Sequence, residues 1–62
     1  MAPLLTADAL DGIGADVAAA RDPRPYALEL VGAVEGGRLA DPGDAGYALS
    51  LAAEARERAG DH

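Results

Sequence analysis

Three aspartates lie close together near the start of the chain, in the stretch DALDGIGAD: Asp8, Asp11 and Asp16, interleaved with Gly12 and Gly14. Carboxylates set among glycines are what a calcium loop uses, because a hard cation takes oxygen ligands and the backbone must turn sharply between them. An EF-hand loop needs oxygen donors at alternate early positions and a Glu at the twelfth. Counted from Asp8, the third position is Leu10 and the twelfth is Ala19. The pattern fails, and the three read as solvated carboxylates on a helix face. Gly12-Ile13-Gly14 supplies the first two glycines of a dinucleotide fingerprint, but the third falls on Val17 and no strand precedes it. The two glycines then serve close helix packing or mark a weak helix.

The remaining chemistry-bearing residues are as sparse. Ser50 sits in ALSLA, without the glycines of a nucleophile elbow. The single histidine is the last residue, His62, and there is no cysteine. Neither a hydrolytic triad nor a zinc site assembles from that set. Paired carboxylates do acid–base work where their surroundings shift their pKa values, and a chain of 62 residues offers little concave surface for it. The expectation is a protein that is not an enzyme, with no catalytic residue, no cofactor and no metal.

Charge narrows the partners. The net charge is −6 and all five basic residues are arginines. Nucleic acid needs clustered Lys and Arg, so it is excluded as a partner. A helix-turn-helix reading fails for the same reason: the start of its recognition helix would be DPGDAGY, which repels phosphate. An anionic membrane surface is unsuited to so acidic a chain, and no apolar run approaches the roughly 20 residues that span a bilayer. MAPLLTADAL has no basic segment and too short an apolar one for a signal peptide. The cytoplasm is the expected compartment.

Three helices must carry these residues. The first spans about Thr6 to Ala20: Thr6 caps it, Asp8 suits its positive end, and Leu10, Ile13, Val17 and Ala20 share one face. It stops near Arg21, since Asp22 precedes a proline. The second starts at Pro23 or Pro25, with Asp22 as its cap, and runs to Val34 or Glu35. Tyr26, Leu30 and Val34 share its face. Gly36-Gly37 ends it through a left-handed glycine, and Leu39 folds back onto the last turn. The third runs from Pro42 to Ala59, with Asp41 as cap and Gly60 after its end. Ala45, Ala48, Leu49, Ala52, Ala55 and Ala59 form a stripe of small residues with Leu49 at its centre. Leu51 lies to one side and Tyr47, half-exposed, to the other. Glu54 precedes Arg58 by one turn, a favourable ion-pair order. No segment alternates as a strand does. Short connections make successive helices antiparallel neighbours. The fold class is all-α: a helical hairpin plus a third helix, repeat-like or a small bundle.

The apolar inventory is thin, with eight Leu, three Val and one Ile among many alanines. Chains this short bury only about 60% of the surface they expose when unfolded. The alanine stripe therefore asks for a partner on that side of the third helix. Tyr47, Leu49, Leu51, Ala52 and Ala55 are the candidate contacts, with a protein partner or a second copy of the chain.

The stretch GYALSLAAEARERAGDH resembles the first helix of a tetratricopeptide-like repeat. Leu49 stands where the family has its apolar anchor, Ala52 and Ala53 occupy the small packing positions, and Gly60-Asp61-His62 matches the turn into a second helix. Arg56 stands where an aromatic is usual and His62 replaces the common Tyr. GRLADPGDAGYALSLAAEARERAGD is also similar to the helical region of actinobacterial proteins with a SEC-C metal-binding tail, whose cysteine cluster is absent here. The resemblance covers about the last 25 residues. It implies a helix pair from an array of period about 34 residues that buries its apolar face only against neighbours. The partner helix would then begin after His62, and residues 1–62 would be the N-terminal part of a helical-repeat protein. A single small domain that self-associates explains the unpaired stripe equally well. Two functions follow: a non-catalytic helical interaction module or adaptor, and a freestanding acidic protein that homodimerises or neutralises a partner as antitoxin-like regulators do. An enzyme fragment whose catalytic residues lie elsewhere is the third.

Overall fold

The computed structural model describes residues 4–60 and is all-α. Helix α1 is Ala7–Ala19, α2 is Arg24–Glu35 and α3 is Ala45–Arg58, the last preceded by a 3-10 turn, Pro42–Asp44. Asp61 and His62, and with them the end of the repeat-like turn, lie outside the described residues.

The helix ends are made by the residues expected to make them. The Thr6 hydroxyl accepts from the Ala9 amide at 3.1 Å and caps α1. At the end of α2, Gly37 takes φ +67°, a conformation costly to any residue with a Cβ. The Arg38 amide then donates to the Ala33 carbonyl at 2.8 Å and the Gly37 amide to Val34 at 3.3 Å. Those two bonds are the Schellman pair that satisfies otherwise orphaned carbonyls. Leu39 follows and is buried, as the turn chemistry requires. Gly60, with φ +76°, takes the same left-handed conformation after α3, and its amide donates to the Glu57 carbonyl at 3.1 Å.

Two helix starts differ from expectation. α2 begins at Arg24, with Pro23 rather than Asp22 in the cap position and no side-chain cap. Pro25 has no amide to offer a cap, so the Asp22 carboxylate turns to Arg24 instead. It accepts from that residue's amide at 3.3 Å and pairs with its guanidinium at 3.0 Å. Pro23 is itself fully buried and closes that end of the core. In the third segment, Asp41 accepts from the Gly43 amide at 2.9 Å. The Asp44 amide bonds back to the Asp41 carbonyl at 2.9 Å. This three-residue spacing is the tighter 3-10 turn, and the α-helix proper starts only at Ala45.

Contacts between helices fix the topology. Tyr47 meets Asp11, and Gly14 lies against Leu51. The contact positions advance together along both helices, so α1 and α3 run in the same direction. Leu5, just before α1, pairs with Leu39, just after α2, in a single parallel bridge. The start of α1 therefore sits beside the end of α2. The result is an up–down–up arrangement with α3 packed on both others, more extensively on α2. The bridge is closed by Leu5 N–H to Arg38 C=O and Ala40 N–H to Leu5 C=O, both 2.8 Å. Among the described residues it is the sole departure from helices and turns, and nothing in the alternation of the sequence announces it.

The core is Leu10 and Val17 from α1, Ala27, Leu30 and Ala33 from α2, Leu39 from the turn, and Ala48, Leu51, Ala52 and Ala55 from α3. No polar side chain is buried among the described residues. The alanine stripe is thus not left unpaired: α2 and α1 cover it. Its centre also lies elsewhere than expected. Leu51 is 9% exposed and belongs to the core, whereas Leu49 is 45% exposed and faces out. At about 100° per residue the two leucines sit on opposite flanks of the stripe, and the packing turns the Leu51 flank inward.

Candidate functional site

The five residues expected on a contact surface separate into two groups. Leu51, Ala52 and Ala55 are buried within the chain itself. Tyr47, 40% exposed, and Leu49 remain on the outside of α3. On α2, Leu28 is 71% exposed and is the most exposed large apolar residue of those described. It stands on the side of α2 away from the face of Tyr26, Leu30 and Val34, so the helical period of the sequence does not single it out.

Tyr47 makes a side-chain hydrogen bond that joins distant parts of the chain. Its hydroxyl donates to Asp11 Oδ1 at 2.5 Å. An ionised tyrosine could no longer donate and would face a carboxylate. That hydrogen bond is the main cause of a Tyr47 pKa raised above the ordinary tyrosine value, with partial desolvation and the nearby charges of Asp11 and Glu54 adding to it. Asp11 is therefore engaged in a cross-helix bond, a role its type and spacing did not reveal. At the other end of the molecule the Arg24 side chain and amide hold the Asp22 carboxyl below its usual range.

Several other polar side chains make local contacts. Ser50 Oγ donates back to the Gly46 carbonyl at 2.9 Å, the local bond of a mid-helix serine. Glu54 and Arg58 pair at 3.6 Å on the exposed surface of α3. Arg38 folds back along α2, with its guanidinium 3.4 Å from the position a Cβ on Gly32 would occupy. A cation suits this place, beside the negative end of the helix dipole.

Among the described residues no group of three or more His, Asp or Glu side chains comes together as a metal site. No helix there is long and apolar enough to cross a membrane. An apolar hollow of about 110 Å³ lies between the end of α2 and the start of α3, lined by Val34, Gly37, Leu39, Pro42 and Ala45. Its walls offer a ligand no charged side chain.

Comparison with protein-family models, curated proteins and solved structures returned no match.

Proposed function

We propose that this chain is a non-catalytic helical interaction module that presents the outer face of α3 to a protein partner, as the start of a repeat array or as a small adaptor. One observation carries the reading: the core closes without Leu49 and Tyr47, which stay on the surface of the helix. In a repeat array a following helix would cover Leu49, the residue at the anchor position of the resemblance. In an adaptor a partner helix would do so. The test is site-specific photocrosslinking in the source cells, with the reactive side chain at position 49 or, as control, at the exposed position 18 on α1. A discrete protein adduct at 49 and none at 18 is the expected result. Equal labelling at both positions refutes the reading.

The second reading, a freestanding acidic protein that homodimerises or neutralises a partner, draws on Leu28 as well as Leu49. Leucines this exposed gain from burial against any apolar surface, a second copy included. Sedimentation of the purified chain over a wide concentration range separates the readings. A dimer that Leu49→Asp abolishes favours self-association.

A further inference from the structure

We infer that α1 is a lid, which swings off the α2–α3 pair as a unit while that pair stays folded. The inference rests on the packing and not on the interaction reading above. Among the described residues the buried core takes Leu10 and Val17 from α1, with Ile13 packed partly against it, and its other eight members from α2, the turn after it and α3. The local devices of the turn between α2 and α3, the Schellman bonds at Gly37 and the Asp41 cap, are made without α1, and α3 packs more extensively on α2 than on α1. Helix α1 itself is weak. Gly12 and Gly14 lie in its interior, where glycine is the poorest helix former after proline. Its specific ties are few. The Tyr47–Asp11 bond joins two exposed side chains, and the Leu5–Leu39 bridge is a single residue pair.

The connection to α2 is suited to a hinge. Ala20 is already extended, with φ −72° and ψ 142°, and Asp22 is kept out of the helical region by Pro23. Opening needs rotation at Ala20–Asp22 and no unwinding of either helix. Pro23 stays behind as part of the buried end of α2. What opening bares is Leu51, because Gly14 lies directly over it: a Cβ at position 14 would stand 3.2 Å from Leu51 Cδ2. Lids and moving elements come from the least protected parts of a fold, and α1 meets that description on packing, helix propensity and ties together.

Amide hydrogen exchange of the intact chain, followed residue by residue by NMR, tests this. The α1 amides should share one opening and be at least about tenfold less protected than the slowest amides of α2 and α3. Tyr47→Phe removes the cross-helix bond and should lower protection in α1 alone, by roughly fivefold. Gly12→Ala places a methyl where nothing lies within 4 Å. It should raise α1 protection roughly fivefold and leave the slowest α2 and α3 amides unchanged. Should Tyr47→Phe not fold, Gly12→Ala decides alone. Equal protection in all three helices, or a shift common to all three in either variant, overturns the lid.

Discussion

Leu51 and Leu49 make a pair whose exchange of roles can be measured. Leu51→Ala removes a buried branched side chain from the contact between α3 and α1, and the alanines around it cannot move in to fill the space. Leu→Ala changes at such sites cost about 2–4 kcal/mol. A domain of 62 residues has roughly 3–9 kcal/mol in total, at 0.05–0.15 kcal/mol per residue. The variant should therefore lose about 8–32 °C in Tm, at some 4–8 °C per kcal/mol for a domain of this size. Leu49→Ala removes a half-exposed side chain and gains helix propensity, so its effect should stay within about 0.5 kcal/mol. Gly14 supplies an internal control. In the native background Gly14→Ala gains about 1 kcal/mol of helix propensity and loses part of it against Leu51 Cδ2 at 3.2 Å. In the Leu51→Ala background the obstruction is gone, and the same change should stabilise by the full amount. Urea unfolding by circular dichroism reads all four, with a stabilising osmolyte for the weakest. If Leu49→Ala costs as much as Leu51→Ala, or if Gly14→Ala is insensitive to residue 51, the rotation of α3 described above is wrong.

Gly37→Ala should destabilise by about 1–2 kcal/mol, since a Cβ is costly at φ +67°; Asn in its place should cost less, and thermal unfolding ranks the three. Thr6→Ala and Asp41→Ala each remove a side-chain acceptor from a helix start and should cost about 1 kcal/mol apiece in chemical denaturation. The raised Tyr47 pKa means that the fold favours the neutral phenol. That stabilisation is complete below the ordinary tyrosine range and lost as pH climbs through the raised value. Ultraviolet titration of Asp11→Asn should show Tyr47 ionising at lower pH than in the native chain. For Asp22 the sign is opposite: its lowered pKa stabilises above the ordinary aspartate range, and the contribution goes as pH falls through the lowered value. NMR titration should find the Asp22 carboxyl moved upward in Arg24→Gln.

The parts of the fold visible in the sequence were those written in local chemistry. Thr6, Asp41, Gly37 and Gly60 each act within a few residues of themselves, and the backbone obeys them. The three helices and the face Leu10–Ile13–Val17 follow from the same short-range logic. What the sequence concealed was decided between segments. Alanine is small enough to sit on either side of a contact, so the stripe in α3 marked a packed face without fixing its centre, and the choice between Leu49 and Leu51 fell to the fit against Gly14. The Tyr47–Asp11 bond spans 36 residues and has no local signature. The same holds for the Leu5–Leu39 bridge. The contact set Tyr47, Leu49, Leu51, Ala52 and Ala55 spans the α3 stripe and both its flanks, and the molecule uses three of its members for its own interior.

An odd number of helices has a consequence for anything joined to this unit. Leu4 leaves the body beside the turn between α2 and α3, whereas Gly60 leaves at the opposite pole, about 21 Å away along the 14 residues of α3. Fluorophores carried at Leu4 and at Gly60 would be held apart. Placed in series, the unit behaves as a spacer that passes the chain straight through.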